Sequence, residues 1–230
     1  MLTPFGPDIW LADGAQPVAV AGFRYPTRMA IIRLADGGLF VWSPIALTEA
    51  LRNAVAALGP VAHIVAPNTL HDLHIAAWKQ AFPAARLHGL PALIKARKTI
   101  AFDAEIADAP AREWAESVDQ VIVTGNLIAT ETVFFHKPSG TVLFTDLIQQ
   151  FPKGWFTGWR AVIARLDLMV TPQPTVPRKF RAAFTNRRAA RAALRRILAW
   201  PCRKLVMAHG APVEAEGRAA IAHAFRWLIR

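Results

Sequence analysis

Short apolar runs and alternating apolar and polar residues fill the first 45 positions, and that pattern predicts β structure. DIWLAD reads as one strand, and MAIIRLADGGLFVWSP as two apolar runs flanking Asp36-Gly37-Gly38, whose glycines supply the positive φ angles of a tight hairpin. From Leu47 the spacing changes to three and four, with Leu47, Leu51, Val55 and Leu58 on one helical face, Thr48 as a cap and Gly59-Pro60 as a stop. A buried strand over 63–66, a helix over 70–82 and a strand over 85–88 continue the alternation, which implies parallel strands. Strands follow at 120–124, 132–135 and 141–145, the last two joined at Pro138-Ser139-Gly140 as a second hairpin. The tail predicts helices over 160–165, 177–184, 187–200 and 214–228, interrupted by one strand over 204–208. Two mixed sheets packed face to face, with helices outside, satisfy this order.

Composition agrees with a packed α/β chain. At 230 residues the chain fits one domain, 1–230, and 53% hydrophobic residues, with eight Trp and thirteen Phe, provide an ample core. The opening MLTPFGPDIW has no charged segment followed by an apolar stretch, and no apolar run approaches the roughly 20 residues of a membrane helix. The single cysteine, Cys202, excludes an intramolecular disulfide and any multi-cysteine zinc site, so a metal would rely on His, Asp, Glu or water. Together these features predict a cytoplasmic location.

Charge adds a partner question. The formal net charge is +11, and between Asp167 and Glu214 ten Lys or Arg occur without one acidic residue. Such a potential attracts anionic lipid or nucleic acid, steers an anionic substrate, or is simply a solvated face. The helix NRRAARAALRRILAW places Arg187, Arg188, Arg191 and Arg195 near one face, and QFPKGWFTGW sets Trp155, Phe156 and Trp159 around Lys153, a composition suited to a lipid interface or a pocket wall.

Three strand ends carry candidate chemistry. In IVAPNTLHDLH, Asn68, His71, Asp72 and His74 follow an apolar strand, and His and Asp three or four residues apart can converge on one ion. On a helix beginning near Leu70, His71 and His74 share a face and Asp72 points elsewhere; the same residues also suit a capped helix N-terminus with surface histidines. Asp146 ends the strand TVLFT, where a carboxylate faces the crevice that α/β folds use for ligands, or caps a helix in LIQQF. His209, in KLVMAHGAP, is a third such residue, followed by a glycine that lets the backbone turn or approach a ligand.

In the order and spacing of these elements the chain resembles the metallo-β-lactamase superfamily, and more closely a little-characterised bacterial branch with degraded metal motifs. The likeness spans nearly the whole chain: the opening hairpin, IVAPNTLHDLH where the superfamily has HxHxDH, VFFHKPSGTVLFTD with its terminal aspartate, and MAHGAP. It implies a four-layer αββα sandwich of two mixed sheets with the site at one edge. Aligning NTLHDL on HxHxDH puts Asn68 and Leu70 at the first two histidines, Asp72 at the aspartate and Leu73 at the third histidine. GNLIA, 125–129, lacks the next histidine, with Asn126 in its region, while Asp146 matches the bridging aspartate and His209 the last histidine. The resemblance therefore implies loss of the first metal position and survival of Asp72, Asp146 and His209, with His71 or His74 filling the vacancy at Leu73.

Two functions follow as expectations. One is a hydrolase of a small ester, lactone, thioester or phosphoester, using one divalent metal, zinc first and iron or manganese as alternatives, with Asp146 orienting the attacking water. The other is a non-catalytic binding or scaffold module that has lost its metal and offers its basic C-terminal surface to an anionic partner. Peripheral membrane contact belongs with this second reading, and nucleic-acid binding ranks last, because the nuclease branches of the superfamily keep their dinuclear ligands.

Overall fold

The computed structural model describes residues 1–229. Thr3–Gly6 (β1), Ile9–Asp13 (β2), Arg28–Arg33 (β3) and Leu39–Trp42 (β4) form an antiparallel meander. Its β3–β4 turn closes at Asp36-Gly37-Gly38, where Gly37 has φ 86° and Gly38 N donates to Asp36 Oδ1 at 2.9 Å. Glu49–Ala56 (α1) starts at Thr48, whose hydroxyl accepts from Leu51 N at 3.2 Å. Val61–Ala66 (β5), Ile75–Ala81 (α2), Arg86–Gly89 (β6), Pro91–Ala96 (α3) and Ala104–Glu105 (β7) then extend the sheet through parallel pairings. The seven strands lie in sequence order, antiparallel in the first half and parallel in the second.

Val118–Val123 (β8), Glu131–His136 (β9) and Thr141–Phe144 (β10) pair antiparallel and start a second sheet. Gly158–Leu166 (α4), Arg178–Ala182 (α5) and Arg187–Ala199 (α6) intervene before Lys204–Met207 (β11) joins β10 in parallel, giving the order β11-β10-β9-β8. Gly217–Ala224 (α7) and Arg226–Ile229 (α8) follow.

Strand alternation sorts the core into layers, because successive side chains point to opposite faces. Ala30, Ile32 and Trp42 pack between the sheets against Phe134, Leu143 and Val206. Their neighbours Met29, Ile31 and Val41 face outward onto α1 and α2 through Val55, Ile75 and Trp78. On the other sheet Phe135, Phe144 and Met207 meet α6 and α7 through Leu194, Ile197 and Ile221. Each fully buried Val, Leu, Ile, Met or Phe among these contributes about 1.5–3 kcal/mol. The architecture is the αββα sandwich that the resemblance implied.

Three local expectations are corrected. The helix expected over 70–82 begins only at Ile75, so residues 70–74 are turn. LIQQF forms no helix; Gln149 instead exchanges backbone hydrogen bonds with Thr175, at 3.0 and 3.1 Å. The helix expected over 214–228 starts after a left-handed Glu216 (φ 57°) and breaks at Phe225 into α7 and α8. On α6, Arg191 Nε donates to Leu228 O at 2.7 Å and Arg196 pairs with Asp108 at 2.5 Å. Among the described residues no helix is long and apolar enough to cross a membrane.

Candidate metal centre

Asn68, the second residue after β5, organises the turn that replaces the expected helix. Its Oδ1 accepts from Leu70 N at 2.8 Å and His71 N at 3.0 Å, an Asx turn that competes with helical hydrogen bonding. Its Nδ2 donates to Thr145 Oγ1 at 2.9 Å and Asp146 Oδ2 at 2.6 Å, on the opposite sheet. All four hydrogen-bonding positions of the amide are used, as burial of the whole residue requires. The turn brings His71 to Asp146, while Asp72, also buried, gives its carboxylate to the Arg97 guanidinium.

His71, Asp146 and His209 converge. Each offers one ligand atom within 4.8 Å of the other two. His71 Nε2 lies 3.3 Å from Asp146 Oδ2, and His209 Nε2 lies 3.3 Å from Asp146 Oδ1. Both rings are fixed through their other nitrogen: His71 Nδ1 meets Ser43 Oγ at 2.8 Å, and His209 Nδ1 meets Pro26 O at 2.6 Å. A carbonyl oxygen can only accept, so His209 carries a proton on Nδ1, and its Nε2 faces the carboxylate oxygen either as a second N–H donor or, in the neutral ring, as a lone pair. In the second case two acceptors face each other and need a positive centre between them.

A metal cation fits that demand. Ligands at about 2.0–2.1 Å from a tetrahedral ion stand about 3.3 Å apart, and ligating histidines commonly anchor the second ring nitrogen on a carbonyl or hydroxyl. Burial alone would push the Asp146 carboxyl up, but the facing His71 and His209 outweigh it and hold it well below the usual carboxylate range. Behind Asp146, the buried Glu131 accepts from the backbone N–H groups of Thr145, Asp146 and Leu147 at 2.5, 2.8 and 3.0 Å. Its own carboxyl is pushed up to about 7, first by burial and then by the charge of Asp146.

The other expected site residues lie outside this group. Asp72 is held by the Arg97 guanidinium. His74, the residue before α2, lines the cleft and is lowered from its ordinary value by burial. Asn126 Oδ1 accepts from Ile128 N and Ala129 N at 3.0 and 3.1 Å, and its Nδ2 donates to Phe180 O at 2.8 Å, so the side chain is spent on its own loop. Ser43 and Glu131 were not foreseen. Ser43, in VWSP at the end of β4, has φ 52°, uncommon for a residue with a Cβ, but the sequence marks it only as a polar residue at a strand end.

A cavity of about 660 Å³ opens over the three residues. Phe23, Tyr25, Pro44, Ile45, Met169 and Phe180 give it apolar walls. Tyr25 sets its ring edge-on to His209 at 5.1 Å and accepts from Lys179 Nζ at 2.9 Å, which places one cation on the wall. A larger cavity of about 1090 Å³, lined by Arg28, Lys153 and Arg165 among others, includes none of the three converging residues. Gly210 lets the chain leave His209, because a Cβ there would stand 2.7 Å from Gln150 O.

Comparison with known proteins agrees with this layout. The sequence model of a family described as a domain of unknown function (DUF4336) matches residues 7–157. No curated protein matches the chain. Among solved structures, a metallo-β-lactamase from Pontibacter korlensis is 12% identical, covers 99% of this chain and 98% of its own, and superposes with a TM-score of 0.67. FIM-1 from Pseudomonas aeruginosa, in its mono-zinc form, is 11% identical over 100% and 96%, with a TM-score of 0.65. A metallo-β-lactamase from Hirschia baltica is 13% identical over 97% and 96%, at 0.64. At such identities the likeness establishes the fold.

Proposed function

Given that the chain belongs to the family described as a domain of unknown function (DUF4336) and has a metallo-β-lactamase fold, we propose that it is a mononuclear metal-dependent hydrolase. His71, Asp146 and His209 would hold one divalent ion, zinc first, with iron or manganese as alternatives. The observation that carries this reading is the convergence of His71, Asp146 and His209 ligand atoms within 4.8 Å, with the other ring nitrogens anchored on Ser43 Oγ and Pro26 O. When bound, a divalent cation supplies Lewis acidity that polarises a carbonyl or phosphoryl oxygen and acidifies water.

The chain's own residues do the rest. Ser43 and Pro26 orient the two imidazoles, Asn68 and Glu131 orient the Asp146 carboxylate and its backbone, and Asp146 is the group to orient a water for attack. The walls around Phe23, Ile45 and Phe180 exclude bulk water and suit a substrate with an apolar body, while Lys179 offers a partner for a carboxylate or phosphate on it. This favours a small ester, lactone, thioester or phosphoester.

One observation favours the alternative, a metal-free binding module. Protonated at Nε2, His71 and His209 could satisfy both Asp146 oxygens without an ion. Elemental analysis of untagged protein separates the two readings. About one metal per wild-type chain is expected, lost in His71→Ala, Asp146→Ala and His209→Ala. Absence of metal after supplementation would sink the hydrolase reading.

A further inference from the structure

The large apolar side chains left in solvent are not scattered. Setting aside Met1 and Ile229 at the chain's two ends, those exposed among the described residues lie on four neighbouring segments. Val18, Leu70, Leu73, Ile128 and Ile163 line the mouth of the 660 Å³ cavity, and all are between 43% and 69% exposed. Leu127 extends the rim beside Ile128. The rest belong to α4, where Trp159, Val162, Ile163 and Leu166 recur at three and four, so one helical face is turned to water. Only Ala164 of α4 is fully buried. Soluble monomers rarely expose contiguous apolar surface on this scale without using it.

The same region is basic. The segment 151–166 contains Lys153, Arg160 and Arg165 and no acidic residue. Arg160 spans from the Trp159 ring, 4.7 Å to its centroid, to Ala21 O at 2.8 Å, tying α4 to the 19–22 loop at the cleft mouth. Arg24, also exposed, follows Phe23, whose ring meets Phe156 and Trp159, and its carbonyl accepts from Trp155 Nε1 at 2.9 Å. An apolar face carrying a tryptophan, flanked by Lys and Arg, is the composition that seats at a lipid headgroup boundary. A second copy is a poorer occupant, because a two-fold contact would set this positive surface against itself.

We propose that the rim formed by α4 and the loops at 18–22, 70–73 and 127–128 is a docking surface for an anionic lipid bilayer, and that docking sets the cleft mouth against the membrane. This surface stands whether or not the three-residue site holds a metal, so the two readings fail independently.

The test uses the full chain with vesicles of phosphatidylcholine, alone or mixed with phosphatidylglycerol, read by co-sedimentation and by quenching of tryptophan fluorescence with brominated lipid. Wild type is expected to bind the mixed vesicles preferentially. Leu166→Glu and Val162→Asp, exposed changes checked for unaltered thermal unfolding, should each weaken binding roughly tenfold or more, the loss from withholding one aliphatic side chain from an apolar phase. Trp159→Phe should remove part of the quenching, and Arg188→Glu on α6 should leave binding near wild type. Failure of wild type to bind, equal binding to neutral vesicles, or undiminished binding by the α4 variants would overturn the proposal. So would a concentration-dependent dimer in sedimentation velocity that Leu166→Glu dissolves, which would assign the face to a second copy.

Discussion

Acidification from pH 7 to pH 5 should destabilise this protein through three buried histidines that sit away from the candidate metal centre. His88 and His136 are both lowered to about 4, chiefly by burial, and His63 is lowered by burial as well. His63 Nδ1 and His88 Nε2 share one hydrogen bond at 3.0 Å, with Trp114 edge-on to both rings, so a proton on each would set two charges in contact. His136 has Nδ1 on Ser139 Oγ at 2.7 Å, and its buried Nε2 has no partner. A histidine whose folded pKa lies below the ordinary 6.5 binds fewer protons folded than unfolded between those values, so stability falls as pH drops through that window and is unaffected above it. For a group at about 4, the loss at pH 5 is about 2 kcal/mol, hence about 4 kcal/mol for His88 and His136 together, while the buried Glu131, pushed up to about 7, takes up its proton earlier in the folded chain and returns about 2 kcal/mol over the same range. In a chain of 230 residues the net loss of about 2 kcal/mol lowers Tm by about 4–8 °C. Thermal unfolding at pH 7 and 5 measures the drop, and His88→Gln and His136→Gln, each removing about 2 kcal/mol of pH dependence, should each abolish most of it. Asp103 and Glu113, the carboxyls near the pair, are both lowered from their ordinary values, chiefly by backbone N–H groups they accept from. A Tm drop as large in both variants as in the wild type would refute the reasoning.

Two further perturbations separate the site from its support. Asp72→Asn should leave metal stoichiometry at the wild-type value, since Asp72 is engaged by Arg97 and not by the converging group; metal analysis showing its loss would restore Asp72 as a ligand. Glu131→Ala removes one carboxylate from three buried backbone N–H donors, and leaving them unsatisfied should cost about 3 kcal/mol or more. Denaturant unfolding of Glu131→Ala beside Glu131→Gln, which keeps one acceptor oxygen, reads that cost, and an unmoved midpoint in Glu131→Ala would refute it.

The elements legible in the sequence are those whose side-chain period has one solution. The Asp36-Gly37-Gly38 hairpin, the Thr48-capped α1 and the alternation in β3 and β4 follow from period and turn chemistry alone. The short α3 and β7 were not legible, because six and two residues are too few to show a period. At 70–82 the apolar spacing was read correctly from Ile75 onward, but the first turn depends on Asn68 bonding Leu70 N and His71 N, which draws the chain out of a helix. That one side chain also decides between His71 and His74. On a helix both would share a face; in the Asx turn His71 reaches Asp146, while His74 lines the cleft without joining the converging group. The signal was present as Asn before Thr-Leu-His, but it competes with the reading of the same Asn as an ordinary helix cap.

Asn68 and Asn126 occupy equivalent places: each follows a strand, β5 or β8, and each side-chain oxygen accepts from the two backbone N–H groups that follow at i+2 and i+3. The resemblance to the metallo-β-lactamase superfamily set Asn68 at the first histidine of HxHxDH and Asn126 in the region of a missing histidine. Their hydrogen bonds give them another task. Asn126 ties its loop to Phe180 O, and Asn68 ties the backbone of His71 to the carboxylate of Asp146. Asn68 therefore positions two members of the converging group. Its two donors and two acceptors are all engaged, so an imidazole there could not reproduce the same contacts. A site that had only decayed would leave the remaining ligands unsupported, whereas here Ser43, Pro26, Asn68 and Glu131 each hold one of them in place. That support is the physical reason to treat the smaller group as a built site.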